Sequence, residues 1–242
     1  MRILNLKFII AFAMFYGYTY LKRGFVYVFS YLAEPLALMF LLYMINHRYL
    51  PYGVLGGLVT MIMGISINSI GDYVYLRNEI KLQDLLVASQ VGPTDYILGL
   101  TFANLIFSSP GILGYIVLNL ALRVVNVVSL VFVILLSLLL LFTGSFLAFM
   151  IASFIPQTRY SWGVATILFI AFTILPPVYY PYTLLPSNVI YALSMIPTTP
   201  TSIIAQGLAG LQELNIKYLI PLFVEFIVFY LISVKVSRWR SK

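Results

Sequence analysis

The chain has 242 residues, of which 62% are hydrophobic and 9% charged, with a mean hydropathy of +1.02. Fourteen Lys+Arg and seven Asp+Glu cannot coat a water-soluble domain of this size, which excludes the soluble globular class. No Cys and a single His exclude disulfides, thiolate chemistry and a zinc site built from those ligands.

Residues 1–24 begin like a signal peptide, with the basic start "MRILNLK" and the apolar core "FIIAFAMF". No small-residue cleavage site follows, because "YGYTYLKRG" is bulky and basic. On a helix, Arg2, Asn5, Tyr16, Thr19, Tyr20 and Arg23 fall roughly on one side, interrupted by Ile9, Phe12 and Ala13. The segment therefore reads as an interfacial helix along the inner leaflet, with a frayed extension of the first span as the alternative.

A spanning helix needs about 20 mostly apolar residues. By that rule six spans are expected, at 25–46, 53–75, 96–122, 127–155, 162–179 and 218–236. Only 123–126 separates the third from the fourth, so these two form a tight hairpin. The runs lack the period-2 alternation of a barrel, and open sheet cannot span lipid. The expected fold class is all-α integral membrane, one domain over residues 1–242.

With the N-terminus inside, eleven Lys/Arg fall on inner segments and three, Arg48, Arg123 and Lys217, on outer ones. This bias places both termini in the cytoplasm and the protein in the plasma membrane, surrounded by lipid. The basic residues are scattered between apolar runs rather than gathered into one stripe, so no nucleic-acid partner is expected.

Three acids lie inside apolar spans. Glu34 precedes Pro35 and reads equally as a helix-bend residue and as a functional group. Asp72 lies one turn from the inner end of its span, where it reaches interfacial water or lines a pathway. Glu225 is the deepest and is a candidate for a polar pathway or a subunit seam, because a carboxylate in lipid is costly unless it is matched.

Residues 77–91 break the apolar texture with Arg77, Glu79, Lys81 and Asp84. Leu82, Leu85 and Leu86 share one face of a helical wheel and the charges another, and "GP" at Gly92–Pro93 stops the helix. An amphipathic cytoplasmic helix is expected. A solvated loop is the alternative, and it accounts poorly for leucines at helical spacing.

Between Pro176 and Pro200 six prolines punctuate a tyrosine-rich stretch. Helix breakers and headgroup-level tyrosines suggest two short re-entrant outer helices within 184–211. Their gate is assigned to Tyr179, Tyr180, Pro181, Pro186, Pro197 and Pro200. An ordinary extracellular loop is the alternative, but "VIYALSMI" and "SIIAQGLAGL" are apolar for free solvent.

No G-x-x-x-x-G-K-[ST] is present, and the acids never cluster as a divalent-metal enzyme needs, so catalysis and a bound metal on this chain are not expected. The stretch "RNEIKLQDLLVASQVGPTDYILGLTFANLI" resembles the segment after the second span of ABC-2 type permeases, the membrane subunits of one class of ABC exporters. "YYPYTLLPSNVIYALSMIPTTPTSIIAQGL" is similar to the family's outer segment between its fifth and sixth spans. Departures are Lys81–Leu82 in place of Gly-Thr, the stretched step Ser89 to Pro93, and Ile196–Pro197 in place of Asn-Pro.

The resemblance implies a permease that moves a lipid, drug, peptide or glycolipid-like substrate outward. It implies a second permease chain, the same or paralogous, and a separate ABC ATPase subunit that carries ATP and Mg. No cofactor is implied on this chain. ATPase coupling would fall on Arg77, Glu79, Lys81, Leu82, Asp84, Leu85 and Leu86. A channel, a secondary transporter and a non-transporting membrane anchor are the competing readings.

Overall fold

The computed structural model describes residues 4–89 and 91–236, and the side chains of all of these except 25–31, 34 and 236. Among the described residues the chain folds into helices joined by turns and short irregular segments. Helix α1 (Leu6–Phe12) runs through a π-helical turn (Ala13–Tyr18) into α2 (Thr19–Arg23), and α3 (Phe25–Ile45) follows. Then come α4 (Leu50–Asn78), the short α5 (Leu82–Ala88), α6 (Pro93–Ala121), α7 (Val127–Ala152) and α8 (Thr158–Ile174). Short α9 (Ser187–Leu193) and α10 (Thr198–Leu208) precede the last helix, α11 (Leu219–Val236).

Helix α4 is the hub. It packs against α3, α6, α7, α8 and α10, and 89% of its most apolar stretch is buried, against 17% for the C-terminal span. A helix apolar all round belongs in a core, and small residues let neighbours approach it closely. The indole of Trp162 lies on Gly71, where an added Cβ would come within 2.5 Å of Cζ3. The outer helices instead turn apolar side chains outward, such as Val131, Phe132 and Leu135 on α7 and Phe223, Val224 and Ile227 on α11. Hydrocarbon accepts such faces at no cost, and the protein is a multi-pass all-α membrane protein.

The π turn seats the N-terminal helix closely on α6. Gly17 sits so close to α6 that a Cβ would lie 2.4 Å from the Ala103 carbonyl oxygen. Phe8, Phe12, Tyr16 and Tyr20, four residues apart, stack in a ladder with centroids 5.5, 5.6 and 4.5 Å apart. Phe12 meets Tyr96 of α6 edge-on. The outward side of the N-terminal helix is apolar, carrying Ile10, Met14 and Phe15. Tyr16, placed by the wheel on a polar outer side, thus turns inward.

Three features of the expected fold class are corrected. Four helical stretches among the described residues, not six, are long and apolar enough to cross a membrane: His47–Asn78, Pro93–Ala121, Val127–Ala152 and Ile216–Lys235. The expected fifth span is cut short because Leu175-Pro176-Pro177 stops α8 after 17 residues, about 25 Å of helix. The expected first span falls on α3 (Phe25–Ile45); its residues 25–31 and 34 lie outside the described side chains, and the apolar stretch among the described residues is Pro35–Ile45.

No clear coupling-helix pattern forms among the described residues of 77–91. Arg77 and Asn78 complete α4, Lys81 adopts a left-handed φ of 57°, and α5 has seven residues. The leucines also divide, with Leu86 buried and Leu85 62% exposed. Nor do two short helices form a re-entrant pair. Helix α10 is buried from Thr198 to Gln206 and packs on α4, α7 and α11, whereas α9 buries only Ile190. Backbone polarity explains the difference, because Gln206 donates to the carbonyls of Pro177 (2.7 Å) and Tyr180 (3.0 Å) and so ties the proline-broken segment to α10.

Candidate functional site

One cavity of about 720 Å³ opens between the N-terminal helix, α4, α6 and α8. Its floor is a stripe along α4, where Thr60, Gly64, Asn68 and Asp72 recur every fourth residue. That spacing keeps them on one side of the helix, over about 18 Å of its length. Helix α6 supplies Asn104 and Phe107, α8 supplies Trp162 and Phe169, and the ladder supplies Tyr16 and Tyr20. The wall is thus aromatic, and the polar groups are one carboxylate, two carboxamides and hydroxyls.

Asn104 Nδ2 donates to Asp72 Oδ2 at 3.5 Å, a long contact between neutral and acidic partners. Thr60 is fully buried and its hydroxyl has no hydrogen-bond partner among the described residues. Burial, with the neighbouring Asp72 carboxylate, pushes the Tyr16 phenol above the usual tyrosine range, so it stays a neutral hydroxyl. Aromatic walls with a few polar groups suit an amphipathic ligand, which rings would hold and polar groups would orient.

The residues expected to couple to an ATPase have divided roles. Arg77 donates from Nη1 to the Ala152 carbonyl at 3.0 Å, and from Nη2 to that of Ile155, beyond the end of α7. Asn78 Nδ2 donates to the Pro156 carbonyl at 3.0 Å, and Thr158 Oγ1 donates to Glu79 Oε1 at 2.8 Å. Arg77 and Glu79 therefore latch the α7–α8 turn to the end of α4. Lys81, Asp84 and Leu85 are exposed beside this latch, Leu82 is half-buried and Leu86 is buried.

Hydrogen bonds from a charged donor are worth roughly 1.5–3 kcal/mol each. Arg77→Leu is therefore expected to lower the thermal unfolding temperature markedly, and Arg77→Lys to recover part of the loss. Unchanged unfolding in Arg77→Leu would show that the latch carries no stability.

Of the three acids, Asp72 lines the cavity. Glu225 is buried on α11, and neither carboxylate oxygen has a hydrogen-bond partner among the described residues. The side chain of Glu34 lies outside the described residues. In the expected outer gate, Tyr179, Pro197 and Pro200 are buried, Tyr180 and Pro181 half-buried and Pro186 exposed. The Tyr180 hydroxyl donates to the Leu175 carbonyl at 3.0 Å.

Asp95 is a structural residue that sequence reasoning missed. It is buried at the start of α6, and its two oxygens accept from the backbone N–H groups of Asn5 (3.0 Å) and Gly92 (3.1 Å). It pins the beginning of the N-terminal helix to α6. Comparison of the chain with protein-family models and with curated proteins finds no match.

Proposed function

We propose that this chain is the permease subunit of an ATP-driven exporter of the ABC-2 type. It pairs with a second permease chain, the same or paralogous, and docks a separate ATPase that carries ATP and Mg. The observation that carries the reading is the aromatic, acid-bearing cavity inside a multi-pass helical membrane protein, next to an exposed charged turn. A sequence without a P-loop must draw on a partner for ATP energy.

Charge supports the orientation. Lys7, Arg77, Lys81 and Arg159 gather at the Arg77 end of α4, while Arg48, Arg123 and Lys217 gather at the Tyr52 end. By the positive-inside rule the Arg77 end faces the cytoplasm of a plasma-membrane protein. The N-terminal helix starts beside Asp95 at that end, and α11 finishes towards it. Both termini then emerge in the cytoplasm, and the exposed Lys81, Asp84 and Leu85 offer the ATPase a contact. The cargo is an amphipathic molecule: a lipid, drug, peptide or glycolipid-like compound.

The test is purification of the full chain from its native membranes in mild detergent, followed by measurement of ATP hydrolysis after reconstitution in lipid. A nucleotide-hydrolysing subunit is expected to travel with the chain and to be lost from Asp84→Lys/Leu85→Arg. Exposed substitutions of this kind change stability by only about 0.5 kcal/mol, so expression should persist. Absence of an ATPase, or equal capture by the double variant, would refute the proposal.

A further inference from the structure

We infer that the cavity is a binding site for an organic cation, a hydrophobic molecule bearing one positive charge such as an amine, quaternary ammonium or phosphonium ion. This names the cargo class of the site described above, and its place in transport rests on the export reading.

Charge complementarity comes first. Among the described residues, Asp72 is the one carboxylate in the cavity lining, which holds no Lys or Arg. Its hydrogen-bond partner is the neutral Asn104, at 3.5 Å. A carboxylate at lipid depth is costly unless a counter-charge or water meets it, and the cavity places open space where that counter-charge would sit. An anionic ligand would meet the carboxylate with no compensating cation.

The walls narrow the choice further. A small inorganic cation prefers a cage of several oxygens, and no group of three His, Cys, Asp or Glu exists among the described residues. The rings of Tyr16, Tyr20, Tyr75 and Trp162 surround the space instead, and aromatic faces attract organic cations. Trp162 is the best placed, since its indole rests on Gly71, the residue before Asp72. The volume of about 720 Å³ lies within the roughly 300–1,000 Å³ that drug-sized ligands occupy.

The chain carries its own reporter. Trp162 and Trp239 are its two tryptophans, so Trp239→Phe leaves a single indole, on the cavity wall. The full chain carrying that substitution, in nanodiscs of neutral phospholipid, is titrated with tetraphenylphosphonium and, separately, with tetraphenylborate, an anion of the same shape. Saturable quenching of Trp162 is expected from the phosphonium alone. Asp72→Asn should weaken it by about tenfold or more, and Asp72→Glu by no more than about threefold.

Equal affinity in Asp72→Asn, or saturable quenching by the borate at a similar concentration, would overturn the inference. If Asp72→Asn fails to fold, the two ions compared on the parent still decide. No ATPase enters this measurement. Cation binding without a co-purifying ATPase would count against the exporter alone, whereas an ATPase complex that ignores the phosphonium would count against the cation alone.

Discussion

Gly17→Val is expected to part the N-terminal helix from α6. The added Cβ would fall 2.4 Å from the Ala103 carbonyl oxygen and 2.9 Å from its Cα. Both are backbone atoms, so no flexible side chain can yield. Overpacking in well-packed sites costs about 1–3 kcal/mol, and the upper end applies where two backbones must separate. Because Tyr16 and Tyr20 enter the cavity from this helix, the lesion should also reach the site. Thermal unfolding and limited proteolysis of the N-terminal segment are the readouts, with quenching of Trp162 as the functional one. Gly163→Ala is the control, since a Cβ there meets nothing within 4 Å; on a helix it should stabilise by about 0.5–1 kcal/mol. If Gly17→Val unfolds and binds like the parent, the close seat of the π turn is dispensable.

Glu225→Leu should raise stability. The carboxylate is buried on a membrane-spanning helix with neither oxygen hydrogen-bonded among the described residues. Insertion scales put a charged side chain at lipid depth about 2.5–3.5 kcal/mol uphill, less if it is protonated. Leucine removes that cost at similar volume, whereas Glu225→Gln keeps a polar group in the same place and should change stability little. The two variants are compared by thermal unfolding in one lipid, with export measured alongside. Loss of stability in the leucine variant would show that Glu225 has a partner on a second chain. Export that falls in Leu more than in Gln would show that the polar group is used there, as expected of a seam residue, even though it lies outside the cavity lining.

Composition alone made the membrane class legible, because no other solvent accepts a chain so apolar. Helices α4, α6, α7 and α11 were legible as long apolar runs, even where a proline lies inside, as Pro110 does in α6. The fifth run misled because "ILPPVYY" stays apolar straight through two prolines, so hydropathy continued where hydrogen bonding could not. Part of the site was readable as well. Thr60, Asn68 and Asp72 repeat at helical spacing, as do Phe8, Phe12, Tyr16 and Tyr20, and either pattern could have marked an inward-facing stripe. Asn104 and Trp162 carry no such mark, since only packing brings α6 and α8 to one side of α4. Arg77 and Glu79 show a different ambiguity. A charge at the end of an apolar run looks the same whether it greets a partner or ties off a neighbouring helix, and here carbonyls at the end of α7 claim the arginine.

The enclosure of α4 has a consequence for biosynthesis. Chains emerge N-terminus first, and of the helices that wrap α4 only α3 precedes it in the sequence. While the ribosome is still adding the rest, Asn68 and Asp72 face lipid or the insertion machinery with no α6 or α8 to cover them. The most deeply housed helix of the finished protein is therefore the most exposed one of the nascent protein. Any product truncated before Thr158 lacks α8 and leaves the cavity side of α4 open, a form that membrane quality control can recognise by its bare polar stripe.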